Sequence, residues 1–408
     1  LKELLFNLPL YIDYYTLGYP LIMSVFWIVG AVFSRFNQQQ TETSTEFPEV
    51  TIVIPAYNEA GTIEETVRSL KNLTYKQLKI IVIDDCSTDQ TVAKLEQVKQ
   101  SDDGWPNLTI LRQPENKGKA AALNRALKQI TSEYMLAIDA DAILEPEAVK
   151  LLVVDFLRDS RLGAVTGKPV VRNRTTLLGK IQTLEYLSII DGIKRTQNFF
   201  LNGIMTVSGV IVMYRTSALK DAGGFNPLVM AEDIDATWSL YKAGWHVSYN
   251  CHARVFILVP ERLTKLFKQR KRWATGGLEM LLDNWRWVEN KRCYNYAFLL
   301  LELIFSHFWS WAFIFSTARY VSILYFSQEL FLSGTVILLF ISLSLILFLV
   351  GLANDKKKSY ISLDDRLACV LYLLYYWLIN MISSIAAQYA VFTHQTGRGR
   401  WDSPDRGI

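Results

Sequence analysis

Four stretches of the chain are apolar almost without interruption: residues 17–33, 297–326, 330–352 and 367–392. Each approaches or exceeds the roughly 20 residues that carry a helix across a bilayer, the first only marginally. Trp and Tyr gather at their ends, as at a membrane interface. Between them the pattern changes. "VTIVIPAYNEAG" (50–61) reads as a strand and a turn, and "TIEETVRSL" follows with helical spacing. "LKIIVIDDCSTD" (78–89) repeats the scheme and leads into "TVAKLEQVKQ". "LTILRQPENKGKAAALNRALKQI" (108–130) is strand, loop and helix, and "YMLAIDADAILEP" (134–146) is a fourth strand. Strands alternating with helices at this pace predict a Rossmann-like, mostly parallel α/β sheet, with ligands beyond the carboxyl ends of the strands. Residues 175–200 and 263–285 mix apolar and basic positions at helical spacing. They predict helices lying in the membrane interface or covering the sheet, and the flanking spans favour the interface.

The expected organisation is a transmembrane segment at 1–36, a cytosolic domain at 48–260 and interfacial helices at 261–296. Three membrane segments follow at 297–392, then a basic tail at 393–408. A polar linker, 37–47, joins the first two parts. Composition agrees: 50% of the 408 residues are hydrophobic and 13% aromatic, yet 20% are charged. A net charge of +4 gives no reason to expect a nucleic-acid partner. Lys291, Arg292, Lys356, Lys357 and Lys358 flank apolar segments, as the positive-inside rule asks of cytoplasmic loops. Cys86, Cys251, Cys293 and Cys369 form no C-x-x-C and read as reduced thiols. The chain begins at Leu1 rather than Met and reads as trimmed, with no cleavable signal peptide. Glu302, His307 and Arg319 interrupt the second apolar segment and are expected to face the bundle interior or a polymer path, because charge facing lipid is costly, with snorkelling to the interface the plain alternative for Arg319.

Polar residues cluster at the strand ends. The first end carries Pro55, Tyr57, Asn58 and Glu59, and the second Asp84 and Asp85. Asp89 reads as a helix N-cap. Asn116, Gly118, Lys119 and Asn124 belong to the third end, where Lys119 opens a helix after glycine, a plausible phosphate site. Asp139 and Asp141, two apart, would leave one face of an extended strand. Hard oxygen ligands so spaced suit Mg2+ or Mn2+ carrying a diphosphate that completes the octahedron. Glu232 and Asp233 begin another helix, where capping is the plain alternative. In "QRKRW", Gln269, Arg272 and Trp273 lie on a basic helix; the arginine suits a phosphate and the tryptophan a sugar face.

Taken in order, "PAYNE", "IDDCSTD", "DAD", "AED" and "QRKRW", with the apolar segments, resemble the processive family-two glycosyltransferases of the GT-A fold. Within that group "GAVTGKPVVRNRTTLLGKIQTLEY", "IKRTQNFF", "TVSGVIVMYRTSAL", "AEDIDATWSL", "KQRKRWATGG" and "GRGRWDSPDRGI" resemble the poly-β-1,6-N-acetylglucosamine synthases of bacterial biofilms. One departure is Ala231, where the family has threonine.

The resemblance implies a GT-A domain and polymer synthesis from UDP-N-acetylglucosamine, with export across the bacterial inner membrane. It assigns Asp233 as base beside Glu232, and Asp139 and Asp141 to the metal. Pro55, Tyr57, Glu59, Asp84, Asp85, Lys119, Asp139, Gln269, Arg272 and Trp273 would bind the UDP-sugar. Ser208, Gly209 and Trp273 would face the acceptor. A small membrane partner subunit, with cyclic-di-GMP acting at that interface, is implied in the same way, as are membrane lipids around the spans. Hyaluronan, chitin or cellulose synthases would share these motifs and differ in sugar. A non-enzymatic membrane nucleotide-binding subunit is disfavoured by the intact acids, and a dehydrogenase by the lack of G-x-G-x-x-G after the first strand.

Overall fold

Alternation along the first strands sorts their apolar residues into two cores. The computed structural model describes residues 2–36, 47–101, 107–286, 294–327, 334–355 and 361–393. Lys291, Arg292, Cys293, Lys356, Lys357, Lys358, most of the linker and nearly all of the basic tail lie outside the described residues. Strands β1 (Val50–Ala56), β2 (Leu78–Asp84), β3 (Leu108–Arg112) and β4 (Tyr134–Ile138) pair in parallel in the order β3-β2-β1-β4. Ile52, Ile54, Ile80, Val82, Leu136 and Ile138 enter one core. There they meet α2 (Ile63–Ser69), α3 (Thr91–Gln100) and α5 (Ala148–Arg158). Val53, Ile81, Ile83, Met135 and Ala137 enter the other, against α4 (Lys119–Leu127) and α8 (Thr216–Asp221). Each such aliphatic side chain contributes about 1.5–3 kcal/mol by leaving water.

The sheet continues past β4 as β7 (Ile211–Arg215), β6 (Leu162–Val171), β8 (His246–Ile257) and β5 (Ile143–Leu144). In this half β7 runs antiparallel to β4 and β6, and β5 antiparallel to β8, while β6 and β8 are parallel. Helices α9 (Glu232–Lys242) and α10 (Leu263–Asn284) pack on the second core.

Residues 177–201 form α6 (Leu177–Leu184), a π-helical turn (Glu185–Ile190) and α7 (Asp191–Leu201). This segment packs on the sheet and on two apolar helices, α1 (Lys2–Phe33) and α12 (Gly334–Asn354). It therefore covers the sheet, as one reading of its sequence expected, and its polar side chains are largely buried. Helix α1 is longer than its apolar run predicted, starting well before residue 17. The remaining helices are α11 (Tyr294–Ser327), the short α13 (Leu363–Leu367) and α14 (Tyr372–Phe392), so the described parts of all four apolar stretches are mainly helical. Among the described residues two segments, Asn7–Phe33 and Tyr296–Phe326, are by length and composition long and apolar enough to cross a membrane. Outward-facing Phe305, Phe308, Trp311, Phe315, Leu338, Leu345 and Leu349 give α11 and α12 an apolar surface suited to lipid contact.

The charged residues of α11 face protein. Glu302 accepts a hydrogen bond from Gln197 (3.1 Å), and His307 meets Ser384 (2.7 Å) and Gln388 (3.1 Å). Arg319 pairs with Asp13 of α1.

Candidate functional site

The loops after β1 and β2 are joined by backbone groups that no strand satisfies. Asn58 N–H donates to Ser87 Oγ (2.9 Å), and Asn58 Oδ1 accepts from Thr88 N–H (2.8 Å). Glu59 N–H donates to Thr91 Oγ1 (2.8 Å), and Glu59 Oε2 accepts from Thr62 (3.1 Å). Asp89 stands one residue before Gln90, the N-cap of α3, and is not itself the cap: its Oδ1 accepts from Thr91 N–H (2.9 Å) and its Oδ2 from Ala60 N–H (3.0 Å), which ties the two loops together. Pro55 is buried at the end of β1, and Tyr57 is half-buried beyond it. Asp84 receives Ser87 N–H at 3.2 Å.

Asp85 is fully buried. Its oxygens accept from Gln113 Nε2 (2.8 Å), Lys117 N–H (3.0 Å) and Gly118 N–H (2.7 Å). Burial holds its carboxyl above the usual range, against the pull of those donors. Asp85 thereby anchors the loop that ends at Gly118, whose φ of 85° is the left-handed conformation glycine adopts freely. Lys119 follows as the first residue of α4.

Lys119 is the hub of the second half of the site. Its Nζ lies 2.7 Å from Asp139 Oδ1, 3.1 Å from Glu232 Oε1 and 3.2 Å from the Gly209 carbonyl oxygen. Burial alone would push its amino group down; the Asp139 and Glu232 carboxylates reverse that and hold it above the ordinary lysine value. Asp139 and Asp141 stand in the turn between β4 and β5 rather than on an extended strand, so strand alternation does not set their directions. Asp139 Oδ2 makes no hydrogen bond among the described residues, and Asp141 is buried. No group of three or more His, Cys, Asp or Glu side chains arranged for a metal occurs among the described residues. Asp139 and Glu232 do converge on one cationic nitrogen, Lys119 Nζ, and oxygen donors of that kind suit a hard cation that takes its remaining ligands from elsewhere.

Asp233, one residue past Glu232 at the start of α9, accepts Gly209 N–H at 3.1 Å. Burial, then the Glu232 charge, raises its carboxyl above the usual range, while Lys119 and Arg272 draw it back. Arg272 is exposed on α10, with its charge felt by Asp233. Trp273 is half-buried against the first core, and Gln269 has a buried Oε1 without a hydrogen-bond donor among the described residues. The structure thus brings Lys119, Asp139, Gly209, Glu232 and Asp233 into direct contact, with Ser208 adjoining. Pro55, Tyr57, Glu59, Asp84 and Asp85 belong to the loops and strand ends after β1 and β2, and α10 carries Gln269, Arg272 and Trp273, of which Arg272 acts on Asp233 through its charge.

Three groups escaped the sequence reading. Arg270 pairs with buried Glu185 of the π-helical turn (2.9 Å) and lies over the Trp273 ring at 4.4 Å. It sits four residues after buried Leu266, on the inward stripe of α10, a spacing visible in the sequence. Asp191 binds Lys168 (2.8 Å), Arg195 (2.9 Å) and the Tyr249 hydroxyl (2.7 Å). Burial opposes its charge, but Arg195 and Lys168 hold its carboxyl well below the usual range. Lys194 donates to Ser208 Oγ at 2.6 Å. Asp191, Lys194 and Arg195 stand out in the sequence only as the charges of a helix of mixed character.

The family model for glycosyl transferase family 2 matches residues 51–223. A poly-beta-1,6-N-acetyl-D-glucosamine synthase of Staphylococcus epidermidis is 34% identical over 96% of this chain and 98% of its own length. The synthase of the same name from Staphylococcus aureus strain MSSA476 is equally similar, 34% over 96% and 98%. Among solved structures, a mannosyltransferase from Pyrobaculum calidifontis in complex with GDP-Man and Mn2+ superposes with a TM-score of 0.67 at 21% identity. It covers 95% of this chain and 98% of that one.

Proposed function

The chain belongs to glycosyl transferase family 2, as a sugar-nucleotide hexosyltransferase of the polysaccharide-forming kind, and we propose that it polymerises N-acetylglucosamine from UDP-N-acetylglucosamine into poly-β-1,6-N-acetylglucosamine at a membrane. The observation that carries the chemistry is the half-buried Asp233, held by Gly209 N–H beside the Lys119–Asp139–Glu232 cluster at the end of the sheet. The similarity to the two staphylococcal relatives named above supports this product.

In this reading the acceptor hydroxyl sits against Asp233, which takes its proton as the oxygen attacks the anomeric carbon. The new carbon–oxygen bond forms on the face opposite the departing UDP, whose bond to that carbon breaks, so the configuration inverts. A carboxylate raised by burial is a stronger base than an exposed one, while the Lys119 and Arg272 charges favour its ionised form. The loops of Tyr57, Asn58 and Glu59 and of Asp84 and Asp85 form the nucleotide side, where Asp85 holds its wall in place. Asp139 and Asp141 would hold Mg2+ or Mn2+, which supplies positive charge to a departing diphosphate. Gln269, Arg272 and Trp273 close the site from α10, and Ser208 and Gly209 floor the acceptor side.

The apolar helices would cross the inner membrane of a bacterium, keep the catalytic part in the cytosol and lead the polymer outward into a biofilm matrix. Three crossings after residue 297 would place Lys356, Lys357 and Lys358 inside and the basic tail outside. A small membrane partner and cyclic-di-GMP would act on this assembly, as in the resembling family.

The test is product analysis of the purified full chain in liposomes, supplied separately with radiolabelled UDP-N-acetylglucosamine, UDP-glucose and UDP-glucuronate plus Mg2+ or Mn2+. A polymer from the first alone, degraded by a β-1,6-N-acetylglucosaminidase, is expected. Incorporation from another sugar nucleotide instead overturns the product assignment. In parallel, Asp233→Asn should lower synthesis ~100-fold or more with UDP affinity retained, the range for loss of a general base. Glu232→Gln should be milder, and near-normal synthesis by Asp233→Asn would falsify the base.

A further inference from the structure

Among the described residues the buried lysines and arginines are Lys168, Lys194, Arg195, Arg254 and Arg270. Four of them meet a carboxylate: Lys168 and Arg195 share Asp191, Arg254 meets Asp355 at 2.6 Å, and Arg270 meets Glu185. Lys194 has no such partner. Its Nζ donates to Ser208 Oγ (2.6 Å) and lies 5.8 Å from the centre of the Tyr249 ring. An unpaired buried amine is costly, so an apolar residue would serve packing better.

Ser208 belongs to the turn that enters β7, and several polar bonds pin that turn. Val207 N–H donates to Thr237 Oγ1 (3.1 Å), and Ser208 N–H donates to Thr166 Oγ1 (2.9 Å). Ile211 N–H closes back onto the Ser208 carbonyl (3.0 Å). One residue on, Gly209 N–H fixes Asp233 Oδ2, and its carbonyl oxygen takes Lys119 Nζ. A side chain at Gly209 would crowd both groups: an added Cβ would stand 3.0 Å from Lys119 Nζ and 3.2 Å from Asp233 Oδ2. Ser208 Oγ is thus the point where a buried residue on α7 can set the backbone that aims Asp233.

We propose that Lys194 is a positioning residue for the transfer step, acting through Ser208 to hold the 207–211 turn and, with it, the Asp233 carboxylate in the orientation that receives the acceptor's proton. The proposal rests on Asp233 being the base. Burial pushes the Lys194 amino group down to about 7, while the Asp233 charge pulls it up, so the two groups sense one another directly. The energetic penalty of Lys194 is in this way confined to one bond that feeds the base.

The experiment compares Lys194→Met, Ser208→Ala and the double variant as full-length protein in liposomes, with Asp233→Asn as reference. Polymer synthesis gives kcat and the KM for UDP-N-acetylglucosamine, and UDP binding is measured separately. Lys194→Met is expected to lower kcat by ~10- to 100-fold, the range for a small misplacement of a reacting group, with KM and UDP affinity within about twofold of the parent. The double variant should be no worse than the poorer single one, since both remove the same bond. A kcat within about twofold of the parent overturns the proposal, as does a loss that appears equally in UDP binding or one that simply multiplies in the double variant. If Asp233→Asn itself remains active, the base reading fails. If Asp233→Asn is inactive while Lys194→Met is normal, only the role of Lys194 fails.

Discussion

Replacing Arg270 by methionine should destabilise the protein far more than replacing Arg270 and Glu185 together. The side chain of Glu185 is 0% exposed and that of Arg270 4%, with nitrogen–oxygen separations of 2.9 and 3.0 Å. Opposite charges about 4 Å apart attract by ~4 kcal/mol at the effective dielectric that suits protein sites. Taking each ion out of water costs several kcal/mol, so the intact pair roughly breaks even against apolar residues. Breaking it is different: Arg270→Met leaves a buried carboxylate without its counter-charge, at ~3–5 kcal/mol. Glu185→Leu strands the guanidinium at a similar cost, while Glu185→Leu/Arg270→Met should return to within about 1–2 kcal/mol of the parent. The midpoint of guanidinium unfolding, followed by tryptophan fluorescence of the purified protein in micelles, measures all three. Single variants within about 1 kcal/mol of the parent, or a double variant worse than either, would refute the electrostatic reasoning. Arg270 also stacks on Trp273, so the double variant should recover stability without recovering full synthesis.

Asp139→Asn and Asp141→Asn should each abolish turnover that depends on Mg2+ or Mn2+ while leaving the unfolding midpoint near the parent's. Activity equal with and without divalent ions would refute the metal assignment. Lys194→Met should also be more stable than the parent at neutral pH, at the expense of rate. The folded amine titrates near 7, below the ordinary 10.5 of an unfolded lysine, so between those values the unfolded chain binds the extra proton and parent stability rises with pH. The variant's advantage should be full at about pH 6 and shrink towards about pH 9.5; an advantage constant over that range would refute the burial argument.

The parts legible in the sequence are those where one residue type repeats with a period. Val50 to Ala56 and Leu78 to Asp84 read as strands because alternate apolar residues were bound for two faces, and Asp84, Asp85 and Asp139 lie at or just past strand ends. The antiparallel half was not legible, because β6 carries Gly167, Lys168 and Pro169, and β8 carries Asn250, Cys251, His252 and Arg254. Those polar residues are strand residues only because partners elsewhere in the chain meet them, Asp191 for Lys168 and Asp355 for Arg254. Ala231 in place of the family's threonine also acquires a physical setting. Its Cβ faces Gly276 of α10 so closely that the glycine has no room for a side chain, so the start of α9 and the helix carrying Arg272 are in direct backbone-level contact.

The costliest residues of the fold lie along one seam, between the sheet and the apolar helices. Arg254 on β8 meets Asp355 just past α12, and Gln197 on α7 bridges Glu302 of α11 to Met205 N–H, just before the turn of Ser208 and Gly209. Glu185 ties the π-helical turn to α10, which carries Gln269, Arg272 and Trp273. Buried ion pairs add little stability over apolar residues, so stability does not account for their placement. What they add is direction: an apolar seam can slide by a fraction of a residue at small cost, whereas a buried charge cannot leave its partner. Each tie ends on, or next to, an element carrying a candidate site residue. A site that transfers one sugar after another must return Asp233 and the acceptor to the same geometry each cycle, and a small displacement costs rate steeply. A seam fixed by charge holds the sheet side and the helix side of the site in one register, which apolar packing alone would leave loose.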